Sequence, residues 1–361
     1  MTVTIYSPAE QTADSPASSG ITLRHFTLFA IKRLAFVPFA VLIVVTLSFF
    51  IVNLVPSDAA REKAGGLASD ADVAIVKHQL GLDKDIWHRY FDFISNIFTH
   101  GSLGRSYYSE RTVWSDVWQF LPSTIELIVL SLIVATVVGV GLGTLGAHFK
   151  QRFPDVLVRG FITVTQAIPD FFLGLLLIFI VFYKAGWLPA PTGQVGLLDF
   201  PENPVTHAVL FDALFQGQWG MAGTAFMHAI LPALTLGIFY SAYFAKTARS
   251  VVGRAFDSYQ VEFARSLGLS EAKVLGYAFR QARTPIITYG SILFAALIGG
   301  AAIVETVFAW GGLGQFAIDR ILHLDIPEVQ GFILVAGLFT LLIFLLLDIL
   351  VIFLDPRVSI A

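Results

Sequence analysis

Glu262-Phe263-Ala264-Arg265-Ser266-Leu267-Gly268 lies in the one long cationic loop of a chain otherwise built from apolar stretches. Apolar side chains recur through this loop at helical spacing: Val261, Ala264, the Arg265 stem and Leu267, then Val274, Leu275, Ala278, Phe279 and Ala282. Gly268 separates the two runs, and Ser270 is placed to cap the second. Residues 246–284 therefore read as helix, turn, helix, lying against the inner face of a membrane. On pattern alone two uses stand side by side: an amphipathic hairpin anchored by its cations, or a surface that docks a cytosolic partner.

The rest of the chain explains why a membrane enters the reading. Of 361 residues, 56% are hydrophobic and 14% charged, at a mean hydropathy of +0.74. A soluble domain cannot cover that much apolar side chain with so few charges. Cysteine is absent, which excludes disulfides, thiolate metal sites and cysteine nucleophiles. No basic block occurs, so nothing points to nucleic acid.

A spanning helix needs about 20 mostly apolar residues. Stretches 34–55, 124–147, 161–182, 229–247, 285–308 and 331–354 qualify, the fourth least clearly because Pro232 and small residues interrupt it. The expected fold is thus all-α and integral to the membrane, with six transmembrane helices. Loop charge sets the orientation. Lys150 and Arg152 mark the second loop, and Lys246, Arg249, Arg254, Arg265, Lys273, Arg280 and Arg283 the fourth. The third loop has only Lys184 and the fifth only Arg320. Both termini and the even loops are expected in the cytosol. The division that follows is a disordered cytosolic tail at 1–23, a first span at 24–55, an extracytoplasmic region at 56–122, and a core at 123–361 with five spans. The tail does not resemble a cleaved signal peptide.

Within the long first loop, residues 85–98 place Ile86, Tyr90, Phe93, Ile94 and Ile97 on one helical face. Ser123 and Glu126 have capping-box spacing at the start of the second span.

Glu262-x-Ala264-x-x-x-Gly268 resembles the EAA loop of permeases in bacterial ABC importers. Further stretches, in order, are similar to the dipeptide, oligopeptide and nickel permease group: Gly81-Leu82-Asp83-Lys84, Gly101-Ser102-Leu103-Gly104-Arg105-Ser106, Leu121-Pro122-Ser123-Thr124-Ile125-Glu126-Leu127, Gly186-Trp187-Leu188-Pro189, Leu231-Pro232-Ala233-Leu234, Glu305-Thr306-Val307-Phe308 and Leu354-Asp355-Pro356-Arg357. The resemblance spans residues 31–358. It implies that Glu262, Phe263, Ala264, Ser266, Leu267, Gly268, Leu269 and Ser270 form a coupling helix seated in a groove of a cytosolic ATPase, with Ala264 allowing close approach and Gly268 the sharp turn. It also implies a second homologous permease, two ABC ATPase subunits and an extracytoplasmic binding protein, in a bacterial inner membrane. Phe263 stands where a second Ala is usual, Gly311 where Pro is common after Trp310, and Asp170 where a small polar residue is usual.

Single residues carry further expectations. Asp170, in the middle of the third span beside Phe171, either faces a wet translocation pathway or occupies a turn loosened by Pro169. On the pathway reading it favours cationic or amine-bearing cargo. Glu126 reads as a capping acid, and Asp348 as a structural partner. Glu305 reads either as part of an outer lip of the pathway or as a structural hydrogen-bonding group. No helix-spaced His pair and no Gly-x-x-x-x-Gly-Lys-Ser/Thr loop occurs. The chain is therefore expected to bind no metal or cofactor itself, with ATP and Mg held by the partner ATPases, and to be a transport subunit rather than an enzyme. A self-sufficient secondary transporter is the alternative, although no inverted repeat is visible.

Overall fold

A computed structural model describes residues 23–54, 58–196, 199 and 204–354, with side chains from 36 to 351. The tail at 1–22 and Asp355-Pro356-Arg357 lie outside the described residues. Thirteen α-helices run in order among these: α1 Leu23–Asn53, α2 Ala59–Ala64, α3 Asp70–Gln79, α4 Ile86–His100, α5 Val113–His148, α6 Phe153–Ala167, α7 Asp170–Leu177, α8 Val209–Phe215, α9 Trp219–Phe256, α10 Tyr259–Ser266, α11 Glu271–Val307, α12 Leu313–Leu322 and α13 Ile326–Leu354. A π-helical segment, Ile178–Lys184, continues α7. Arg105 and Thr112 form an isolated antiparallel bridge, and no strand occurs among the described residues.

Five helices, in α1, α5, α9, α11 and α13, are long and apolar enough to cross a membrane. The third expected span, 161–182, is broken: α6 and α7 with its π-helical extension meet at 103°. The cause is local. Proline pushes the residue before it out of the helical region, and Ile168 is extended at φ −101°, ψ 131°.

Other prolines do not break their helices. Pro122 lies inside α5, Pro232 inside α9 and Pro285 inside α11. Proline is tolerated in apolar helices where neighbours and local adjustments satisfy the freed backbone groups. Two expectations are corrected accordingly. The fourth span is one unbroken helix of 38 residues. The second half of the cationic loop is not a surface helix of its own but the first turns of α11, which runs 37 residues without interruption.

α5 and α9 form the centre of the bundle. Lipid supplies no hydrophobic drive between helices, so close backbone packing must hold them. Ser131, Ala135, Gly139, Gly143 and Ala147 recur every four residues along α5, and all are buried. A Cβ on Gly139 would sit 2.5 Å from the Ser241 carbonyl oxygen, and one on Gly143 2.5 Å from that of Ala245. This small-residue stripe, not the apolar bulk, sets the separation of the two helices.

The helix expected at 85–98 is α4. The Asp85 side chain accepts from the Trp87 N–H at its start, and Gly101 ends it at φ 61°. Its expected face is the covered one, whereas Trp87, Phe91 and Phe98 are exposed. Tyr90 meets Thr46 of α1 at 2.8 Å between hydroxyls, and the Phe49 ring lies 5.4 Å from Tyr90 and 5.6 Å from Phe93.

Loops alternate between the two ends of the bundle. Lys150 pairs with Asp257 at 3.1 Å, joining the second and fourth loops. At the opposite end Ser106 donates to Asp325 at 2.5 Å, joining the first loop to the α12–α13 turn. Ser123 donates to the His207 carbonyl at 2.9 Å, adding the third loop.

Candidate functional site

The segment from α10 into α11 forms an elbow. Val261 and Ala264 turn inward and are 0% and 4% exposed. Val274, Ala278 and Ala282 of α11 are buried in the same core. The opposite side is open: Tyr259, Phe263 and Leu267 are 78%, 53% and 62% exposed. The Tyr259 and Phe263 rings are nearly parallel, with centroids 6.5 Å apart.

The turn itself is a Schellman motif. Leu269 N–H donates to Ala264 O at 3.3 Å and Gly268 N–H to Arg265 O at 2.9 Å. Gly268 supplies the left-handed backbone at φ 70°, and a Cβ there would meet nothing within 4 Å. Backbone conformation alone therefore selects glycine. Ser270 occupies the N-cap position of α11, but its side chain makes no capping bond; its carbonyl accepts from Lys273 and Val274. Glu262 and Ser266 lie on the exposed side, with Ser266 Oγ donating to Phe263 O at 2.8 Å.

Two expectations about this segment change. Ala264 is packed against the chain's own core, so its small size serves α10–α11 contact, not close approach by a partner. Leu267 belongs to the exposed face, not to the covered run. The exposed Phe263 adds an aromatic ring where the resemblance has a methyl group.

The far end of α11 is closed. Glu305 is fully buried and accepts from Thr124 Oγ1 at 2.5 Å and Gln315 N at 2.8 Å. Thr124 Oγ1 accepts in turn from Leu313 N at 2.7 Å. The pair thus caps the first turn of α12 and ties it to α5. Trp310 Nε1 donates to Ser123 O at 2.9 Å in the same knot. Of the two expectations for Glu305, the geometry matches the structural hydrogen-bonding group; it presents no oxygen to a pathway. Gly311 has φ 76°, and its N–H donates to Gln315 Oε1 at 2.9 Å. A proline could supply neither.

Glu126 caps a helix, but not its own. Residue 123 lies deep inside α5, so the capping-box spacing is coincidental. The Glu126 carboxylate accepts from Phe211 N at 3.0 Å, in the first turn of α8. In that helix Asp212 gathers the N–H groups of Val205, Thr206 and His207 at 2.8 to 3.2 Å. Burial alone would raise the Asp212 carboxyl, but these bonds outweigh it and hold it below its ordinary value.

Asp170 opens α7 at the break, and its Oδ1 accepts from Phe171 N at 2.7 Å. It is half-exposed, and Phe171 beside it is exposed. Its other oxygen faces Gly300 of α11, where a Cβ would lie 3.4 Å away, and 2.6 Å from the Tyr240 hydroxyl. Tyr240 donates to the Ala296 carbonyl at 2.8 Å. α7, α9 and α11 therefore meet around one partly open carboxylate.

Sequence reasoning missed a further clasp beneath the elbow. Asp155 of α6 is fully buried, and Arg249 of α9 reaches it with Nε at 2.5 Å and Nη2 at 3.0 Å. Arg249 had been legible only as loop charge. Among the described residues no cluster of His, Cys, Asp and Glu could hold a metal.

A multi-pass helical bundle with one broken span, a buried knot at one end and an apolar elbow at the other is the architecture of a membrane transport subunit. Residues 135–360 match the family model of the binding-protein-dependent transport system inner membrane component, and residues 26–128 match the N-terminal model of the same membrane components. The chain belongs to that family, the permeases of bacterial ABC importers, and is a multi-pass protein of the inner membrane. It is 36% identical to the probable D,D-dipeptide transport system permease protein DdpB of Escherichia coli K12, over 88% of this chain and 93% of that protein. It is 32% identical to the dipeptide transport system permease protein DppB of the same strain, over 91% and 98%. The DppB of Alkalihalophilus pseudofirmus is 29% identical over 92% and 99%. The family works with ATPase and substrate-binding proteins, and no finding favours a self-sufficient secondary transporter.

Proposed function

We propose that this chain lines half of a translocation pathway for peptides or similar small solutes, beside a second homologous permease. The bundle end carrying Lys150, Lys246 and Arg254 faces the cytosol, on the loop-charge argument. The end with α2 to α4 faces outward, toward a binding protein. Two ABC ATPase subunits bind ATP and Mg and drive the switch between outward and inward access; the chain itself contributes no ATPase site. Peptide cargo is suggested by the relatives' names.

One observation carries the reading. α10 is fixed to the core by Val261 and Ala264, while Tyr259, Phe263 and Leu267 project into the open. A rigid helix with an unfilled apolar face suits insertion into a groove. Because α11 continues unbroken from the elbow, displacement of the turn moves the whole helix. In the assembled transporter, Leu267→Glu is expected to abolish ATP-driven uptake while the permease still folds and reaches the membrane. Wild-type uptake by this variant, with normal membrane levels, would reject the docking surface.

Asp170 is placed on the pathway by the same proposal, where its free carboxylate edge favours an ammonium group on the cargo. Asp170→Asn is expected to lower uptake of peptides with a free amino terminus relative to N-acetylated ones. An unchanged ratio argues against cargo contact.

A further inference from the structure

An open cavity lies outside the bundle core, in the layer built by α2, α3, α4 and the segment after α4. Its volume is about 500 Å³, within the range of roughly 300–1,000 Å³ typical of small-molecule sites. Phe49 and Phe93 form one apolar wall, and Ile326 and Pro327 at the start of α13 form another.

Its polar lining is unbalanced. Lys63 and Lys84 line it together with their acid partners, Glu110 at 3.6 Å and Asp92 at 3.0 Å, and these four charges offset one another. Arg89 and Arg105 line it as well, and neither has a carboxylate partner among the described residues. Arg89 donates to the neutral Asn53 side chain. Arg105 is exposed and held through its backbone by the bridge to Thr112.

A second feature is independent of charge. Gln330 of α13 lines the cavity, is only 6% exposed, and its side-chain amide has no hydrogen-bond partner among the described residues. Its amide atoms are not sealed off from solvent, so they are open to a ligand in the cavity. Tyr107 lines the same space; burial pushes its phenol up to about 12, with the Arg89 charge opposing. The hydroxyl therefore stays protonated and available as a donor at neutral pH.

Two arginines without an acid partner, a phenol and an unpaired amide line one cavity with apolar walls. Donors of this kind suit an oxyanion, and arginine forks match phosphate oxygens. We infer that this cavity is a binding site for a phosphate group, held by Arg89 and Arg105 with Gln330 and Tyr107 supporting. The group comes either from free phosphate or from the head of an anionic phospholipid, since α1 and α4 bring the cavity beside a spanning helix. The site is separate from the elbow and from Asp170, and does not depend on the proposed cargo.

The test uses the full chain purified in a neutral detergent, followed by thermal unfolding. The probes are inorganic phosphate, dioctanoyl phosphatidylglycerol and dioctanoyl phosphatidylcholine, at matched ionic strength. Arg105→Gln and Arg89→Gln/Arg105→Gln are compared with wild type, the exposed Arg105 keeping one variant free of folding effects. A saturable rise with phosphate identifies a free-anion site; a rise with phosphatidylglycerol but with neither phosphate nor phosphatidylcholine identifies a lipid headgroup. In either case the apparent affinity is expected to fall about tenfold for Arg105→Gln, the loss expected of one charge-assisted bond. Absence of any rise with phosphate or phosphatidylglycerol overturns the inference, as does a rise that Arg105→Gln leaves unchanged.

Discussion

At one end of α11, Gly268 turns the chain in open space and the residues around it expose aromatic and aliphatic surface. At the other end, Glu305 is sealed among Thr124, Gln315 and the first turn of α12, with Trp310 and Phe308 buried beside it. One helix of 37 residues joins these two ends without a break, although Pro285 lies inside it. The open end has apolar surface to give to a partner. The closed end has already spent its polar groups on the protein itself. A continuous helix anchored at one end and exposed at the other is suited to transmitting displacement, because packed helices shift as units rather than deforming gradually.

The contrast predicts opposite responses to substitution. The largest effect is expected at the closed end. Glu305→Ala leaves the Thr124 hydroxyl and the Gln315 N–H without their acceptor in a dry environment. At about 1–3 kcal/mol for each orphaned group, a loss of about 4 kcal/mol follows. Thermal unfolding of the purified permease is expected to show a large drop in midpoint, and poor yield. A stability equal to wild type would mean that the knot does not hold α12 to α5.

A smaller effect on stability is expected at the open end. Gly268→Ala forces a side chain into the left-handed region, costing about 1 kcal/mol, with no clash because the space is empty. The midpoint should shift by little, while ATP-driven uptake falls by a larger factor if the turn presents the proposed docking face. Equal percentage losses in stability and uptake would erase the distinction between the two ends.

How far this was legible in the sequence follows the same division. The elbow was readable because its determinants are local: helical spacing through Val261 and Ala264, a glycine where a turn is needed, and Ser270 at the start of the next helix. The covered face of α4 was readable for the same reason. What failed were inferences about which groups meet across the chain. Ser123 and Glu126 carry the spacing of a capping box, yet Ser123 bonds His207 and Glu126 bonds Phe211. Local spacing cannot reveal a partner more than 80 positions away. Likewise Pro169 breaks its span while Pro232 and Pro285 lie inside continuous helices, and residue type alone does not tell the two outcomes apart. The buried Asp155–Arg249 clasp was hidden because loop charge counts Arg249 only as a surface cation and does not register Asp155, 94 positions away.

The small-residue stripe of α5 is present in the sequence as Ser131, Ala135, Gly139, Gly143 and Ala147. Its spacing of four marks a face of close helix contact, and the structure sets α9 directly against it. Apolar composition located the spans; the small residues determine how two of them meet.

In the proposed transporter the elbow sits in an ATPase groove and passes its motion along α11. This arrangement is tested most directly by placing single cysteines at Phe263 and at Leu267 in this naturally cysteine-free chain. In the intact transporter, a short bifunctional crosslinker should join each to an ATPase subunit, with yields that change between nucleotide-free and ATP-trapped states. Cysteines that react freely with a soluble maleimide in every state, and never crosslink to an ATPase, would contradict the account.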